Sequence, residues 1–193
     1  MEPARKVANR DVDWKRYVAL PEDDRRELVD GVLLEVEVPT HWHEWIVAQL
    51  VFHLMLWARR RNLVVLGSGY KVRISNRRGA MPDVQVLTAE AFRDADPQGM
   101  SRGRPEIVVE VISPSSRGHD RVRKLGWHAS IGVPEYWIVD PEARTLERCV
   151  LDARVYDVRE TAEGNVTFKP KGLRGLSIPM GEIWSKLPAR RRR

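Results

Sequence analysis

"PEIVVEVISPSS", residues 105–116, is the stretch whose reading decides the fold. Ile107, Val108, Val109, Val111 and Ile112 surround Glu110, and such nearly continuous apolarity predicts a strand covered on both faces of a sheet. Alternation assigns Glu106, Val108, Glu110 and Ile112 to one face and Ile107, Val109 and Val111 to the other. A carboxylate in that frame costs several kcal/mol unless something positive meets it. Two partners are open: an arginine, a residue this chain has in number, or a divalent metal shared with a second carboxylate.

The second carboxylate stands in "MPDVQVLT", residues 81–88. Pro82 holds the chain extended before Asp83, and Val84 and Val86 take the core side of the strand that follows, leaving Asp83, Gln85 and Leu87 on the other. An Asp in that place also serves simply to close a turn. Magnesium suits a pair of this kind, because it takes one or two carboxylates and fills its remaining positions with water and phosphate oxygens. Lys124 is the third piece. It falls in the helix directly after the Glu110 strand, where an ammonium serves as a point charge beside a phosphate or pairs with Asp120 one turn away. Val122, Leu125 and Ala129 form the expected buried stripe of that helix, with Asp120, Lys124 and His128 beside it.

Working outward, "WKRYVALPEDD" reads as a short helix stopped by Pro21, and Asp30-Gly31 marks a hairpin between two apolar runs. Thr40 caps the longest helix, "HWHEWIVAQLVFHLMLWARRR", with core-facing positions at Trp42, Trp45 or Ile46, Gln49 or Leu50, Phe52 or His53, and Leu56. Arg59, Arg60 and Arg61 suit the negative end of its dipole. Short strands follow: "LVVL", "YKVRIS", a turn over Asn76 to Gly79, and "MPDVQVLT". "AEAFRDADPQGMSRGR" is a short helix giving way to a polar loop. After the Glu110 strand come a helix from about Gly118 to Ile131 and the strand "EYWIVD", in which Tyr136 and Trp137 pack the sheet. "ARTLERCVLDARVYDVRE" and "NVTFKP" read as antiparallel strands around Gly164-Asn165, and "MGEIWSKL" as a last helix. The expected class is α/β, a mixed sheet flanked by helices. "GSGYKV" lacks the third glycine and following helix of a phosphate-binding loop.

The formal charge is +6, and Arg190 to Arg193 carry four of those charges, leaving two for the rest. Such a run reads as a solvated tail or a contact for a polyanion. Cys149 is the one cysteine, which excludes an intramolecular disulfide and a cysteine-built zinc site. The start, "MEPARKVANRDVDWKR", has no apolar segment, and no apolar run reaches the ~20 residues of a membrane span. A cytoplasmic protein is expected, with one domain over residues 1–188 and a basic tail over 189–193.

"RELVDG", "HWHEW", "MPDV", "PEIVVEVISPSS" and "DRVRKLGWHASIGVPEYWIVDPEARTLE" occur in one order. In this the chain resembles, over about residues 25 to 185, the Uma-two family of restriction-endonuclease-like proteins in the PD-(D/E)XK nuclease superfamily. The resemblance implies a restriction-endonuclease-like core with an added C-terminal antiparallel β region. It implies Asp83 as central metal ligand, Glu110 as second acid and the Val111 carbonyl as a further ligand. The motif's lysine position holds Ile112, so the resemblance moves that role to Lys124. It adds Glu27 of "RELVDG" and His43 of "HWHEW" as site candidates. Glu27 points at the metal centre or pairs with an arginine. His43 orients a water, contacts phosphate, or sits in hydrogen bonds at a helix start. The implied activity is cleavage of DNA with Mg²⁺, or Mn²⁺ in its place. A binding member of the same fold without catalysis is the alternative. Cutting both strands favours a homodimer. No protein partner can be named from the sequence.

Overall fold

The fold is that of a computed structural model that describes residues 11–112 and 119–188, with side chains for all of these except 119–121. The expected arginine tail, residues 113–118 and the Asp120 side chain lie outside the described residues. In chain order, the short helix α1 (Trp14–Val18) precedes the hairpin β1 (Arg26–Val29) and β2 (Val32–Glu35), the long helix α2 (His41–Ala58) and the strand β3 (Leu63–Leu66). Strands β4 (Lys71–Ser75), β5 (Arg78–Ala80) and β6 (Val84–Thr88) follow, then α3 (Ala89–Arg93), β7 (Gly99–Met100) and β8 (Ile107–Val111). Helix α4 (His119–Ser130) leads to β9 (Glu135–Asp140) and the hairpin β10 (Thr145–Asp152) and β11 (Val155–Glu163). A two-stranded ribbon of β12 (Thr167–Phe168) and β13 (Ile178–Pro179) precedes α5 (Met180–Trp184).

The main sheet has six strands in the order β11-β10-β9-β8-β6-β3. Its one parallel pair is β8 with β9, and α4 makes the crossover that parallel neighbours require. A second sheet of five strands, β2-β1-β5-β4-β7, carries the Asp30-Gly31 hairpin, whose two turn residues have φ of 50° and 84° as its tight turn demands. The alternation expected of β8 holds. Ile107, Val109 and Val111 join one apolar cluster with α2 and α5, while Val108 and Ile112 join a second on the side of α4. Trp137 and Tyr136 divide between those clusters in the same way. A third cluster packs Trp14 and Tyr17 of α1 on Leu28 and Leu33 of the hairpin.

Four details differ from the sequence reading. Gly79 lies within β5 rather than in the turn, because Tyr17 and Trp14 press on its backbone: a Cβ there would stand 2.6 Å from the Tyr17 ring. Leu56 of α2 is exposed, and of the alternatives Phe52 and His53 it is His53 that turns inward, beside Ile46, Val47, Leu50, Leu54, Trp57 and Ala58. Val122 of α4 is 72% exposed, because the helix turns Lys124, Trp127 and His128 inward. The strand around Thr167 pairs with β13, not with β11, while the expected C-terminal antiparallel strands β10 and β11 are added at the edge of the main sheet.

The far end of the main sheet rests on a buried ion cluster. Arg148 of β10 donates from Nε to Glu135 at 2.9 Å and from Nη1 to Glu160 at 3.0 Å, and the Trp137 indole also donates to Glu135 at 2.9 Å. Removing the cation strands the buried Glu135 carboxylate and takes the ion pair from half-buried Glu160. Arg148→Met is therefore expected to lower unfolding free energy by about 3–5 kcal/mol in urea titration, and a loss below ~1 kcal/mol would show that the cluster contributes nothing.

Candidate active site

The register of the main sheet builds the site. Strands β6 and β8 pair with Val84 opposite Val109, so one step further Asp83 comes level with Glu110 on the same face. The Asp83 carboxylate accepts a hydrogen bond from the Val111 N–H at 2.7 Å. Ile112 N–H, by contrast, donates to Val139 on the β9 side. Because N–H and C=O of one residue share a side of a strand, the Val111 carbonyl projects towards Asp83 too. The sharp start of β6 at Pro82 and the end of β8 thus leave two carboxylates and a carbonyl facing one space.

The charge that meets Glu110 is Lys124, not an arginine. Its Nζ lies 3.3 Å from both Glu110 oxygens and 3.0 Å from Glu27 Oε1. Glu27 comes from β1 in the other sheet, and the same oxygen accepts from the Met81 N–H at 3.3 Å. The ammonium thus ties the two sheets together from α4. His43, in the first turn of α2, places Nε2 3.3 Å from Asp83 Oδ2. Its position follows from the Thr40 cap, whose hydroxyl accepts from the His43 N–H at 3.3 Å. All five side chains singled out in the sequence converge here.

Burial dominates the electrostatics. It pushes the Glu110 carboxyl up to about 8 against the pull of Lys124, with Asp83 and Glu27 adding to the rise. Burial works against the Lys124 charge, yet Glu110 and Glu27 hold its pKa well above the ordinary lysine range. For His43 burial favours the neutral ring, but the hydrogen bond and charge of Asp83 outweigh it and raise the pKa. Lysine tolerates such a place because one compact ammonium satisfies several carboxylate oxygens at once.

Three neighbours went unassigned in the sequence. Gln85, two residues after Asp83 and fully buried, donates from its amide to the Tyr70 carbonyl at 2.7 Å and leaves Oε1 without a protein partner. His128 is buried one turn after Lys124, its ring 5.4 Å from that of Tyr136, and burial with Lys124 beside it lowers its pKa to about 3. Tyr136 is buried and its hydroxyl is held protonated by burial and then by Glu110. The alternation of β6 was the one signal that pointed at Gln85. His128 was placed on the Lys124 stripe of its helix without a role, and Tyr136 looked like ordinary sheet packing.

The donor set can be tested for a metal. Among the described residues no group of three or more His, Cys, Asp and Glu side chains is arranged to enclose an ion. That excludes an enclosed tetrahedral site of the zinc kind within them. Two carboxylates with one carbonyl are hard oxygen donors, too few to fill a coordination sphere, and they suit a cation that keeps most of its water. The residues fit a hard divalent cation.

Comparison with known proteins agrees with this architecture. A putative nuclease of the DUF820 family from Anabaena variabilis is similar in structure, with a TM-score of 0.69 over 90% of this chain and 98% of that one, at 16% identity. That likeness shows the fold, a restriction-endonuclease-like mixed sheet flanked by helices. No curated protein matches. No described helix is long and apolar enough to cross a membrane. Residues 14–181, from α1 into α5, match the Uma2 family, described as "Putative restriction endonuclease", and the chain belongs to that family.

Proposed function

We propose that this protein is a Mg²⁺-dependent endonuclease that hydrolyses phosphodiester bonds of DNA, with Asp83, Glu110 and the Val111 carbonyl as metal ligands and Lys124 as its cationic catalyst. One observation carries the reading: Asp83, Glu110 and Lys124, from β6, β8 and α4, meet in one buried place although 41 residues separate the first from the last. The nuclease-like family supports it. Manganese is the natural substitute. The reading takes residues 1–188 as one domain followed by a basic tail.

When bound, the metal supplies Lewis-acid polarisation of a phosphate oxygen and a lowered pKa for a coordinated water. The protein's own residues do the rest. Lys124 presents a fixed positive charge where the pentavalent phosphorus gathers negative charge, an effect worth most in a dry site that needs no reorganisation. Glu27 holds that ammonium in place from the opposite sheet. His43 steadies Asp83 from the first turn of α2. Water adds to phosphorus, the P–O bond to the leaving sugar oxygen breaks, and that oxygen takes up a proton.

A second reading has its own observation. Lys124 already satisfies Glu110 and Glu27 at 3.3 and 3.0 Å, as expected of a site that binds without cutting. Nicking of supercoiled plasmid in Mg²⁺ or Mn²⁺, with EDTA as blank, separates the two. Asp83→Ala and Lys124→Ala are expected to lower cleavage at least ~100-fold, and Glu27→Gln about 10–100-fold by loosening the lysine. Metal-dependent stabilisation with no cleavage of any DNA or RNA would leave the binding reading standing. Unchanged cleavage in the Asp83 or Lys124 variant would remove that residue from the mechanism.

The buried charges make a separate prediction for stability. Lys124→Met leaves Glu110 and Glu27 without a cation, and the expected loss is about 3–5 kcal/mol in chelator. Added Mn²⁺ is expected to restore a larger share of stability to this variant than it adds to the wild type, because the ion then supplies the missing charge. Equal shifts in both proteins would show that no ion binds beside Glu110.

A further inference from the structure

Helix α2 is apolar on both sides. Its inner face carries Ile46, Leu50, Leu54 and Trp57 into the main core, and α5 covers one flank, where the Trp45 indole donates to the Ile183 carbonyl at 3.1 Å. The outward face is a second stripe. Glu44, Ala48, Phe52, Met55 and Arg59 follow one another at intervals of three and four residues and all are exposed, with Leu56 at its margin. Phe52 is 53%, Met55 44% and Leu56 49% exposed. A helix apolar all round is ordinarily covered all round. Among the described residues no segment covers it.

The order of the stripe names its partner. An acid stands at the start, a base at the end, and the apolar residues lie between, with small Ala48 and large Met55 at equal distances from the middle. Turned end for end beside Phe52, the stripe complements itself. Glu44 comes opposite the partner's Arg59, Ala48 opposite the partner's Met55, and the two Phe52 rings meet near the axis. A two-fold pairing of identical surfaces has this self-complementary form. We propose that the outward face of α2 is the contact between two copies of this chain, paired antiparallel across a two-fold axis beside Phe52. This goes beyond the proposed hydrolysis and does not depend on it.

The size of the face sets the strength. Eighteen residues span about 27 Å, and a strip of that length one helix wide is at the small end of stable interfaces. A face of that size points to a weak, concentration-dependent dimer. Glu44 also lies 3.7 Å from the His43 ring, so the face runs to the edge of the candidate site.

Sedimentation velocity of the full chain in low salt, from about 1 to 200 µM, tests this directly. The wild type is expected to pass from monomer to dimer over that range. Phe52→Glu, at an exposed position, is expected to leave the melting temperature unchanged and weaken association at least ~10-fold. Glu44→Arg and Arg59→Glu, each acting twice in a symmetric pair, are expected to weaken it about 10-fold singly and to restore it together. A monomer at every concentration, a dimer indifferent to Phe52→Glu, or a double reversal no better than the singles would overturn the proposal.

Discussion

A carboxylate set into an apolar strand must be answered by charge at the spot where it sits, and the answer to Glu110 organises much of this molecule. Lys124 reaches it from α4, which forces that helix to turn a charged stripe inward and to leave Val122 in solvent. Glu27 reaches the same ammonium from the second sheet, so one cation couples α4, β1 and β8. Asp83 sits beside them, hydrogen-bonded to the backbone of the strand that carries Glu110 and steadied by His43. Pairing of this kind seldom adds much net stability, because desolvating the ions costs about as much as their attraction returns. Its value lies in fixing geometry. A dry, pre-arranged set of charges is what electrostatic catalysis on a phosphate requires.

The same logic separates this cluster from the one around Arg148. There the guanidinium takes two carboxylates by directed hydrogen bonds. Around Lys124 the partners are arranged about a point charge instead, and two carboxylates and a carbonyl converge beside it. Arginine suits a fixed structural fork, whereas lysine suits a place whose contacts must change when a cation or a phosphate enters.

The sequence disclosed the site better than it disclosed the packing around it. Glu110 was conspicuous because its neighbours are all apolar, and Asp83 because Pro82 precedes a strand of matching alternation. The distance between them in space followed from register, which no local pattern encodes, and Glu27 as the partner of Lys124 depended on how two sheets meet. The reading of α4 shows the limit most plainly. Apolar spacing favoured Val122 as a buried residue, but the demand of two buried acids for an ammonium outweighed one valine. In α2 the pattern was ambiguous for a different reason: an apolar helix on both faces does not say which face is the core, and the exposed Phe52 and Leu56 are the result. Gln85 was legible by alternation as a neighbour of Asp83 and His128 by helical spacing as a neighbour of Lys124, whereas Tyr136 became part of the site's surroundings only once α4 and β9 were in place.

Diffraction from crystals soaked in Mn²⁺, collected at the manganese edge, tests the central claim most directly. The account predicts one anomalous peak within about 2.0–2.3 Å of carboxylate oxygens of both Asp83 and Glu110 and of the Val111 carbonyl, with the Lys124 ammonium drawn off Glu110 towards the open side. Saturating Mn²⁺ that leaves this place without a peak, with Lys124 still paired to Glu110, would contradict it.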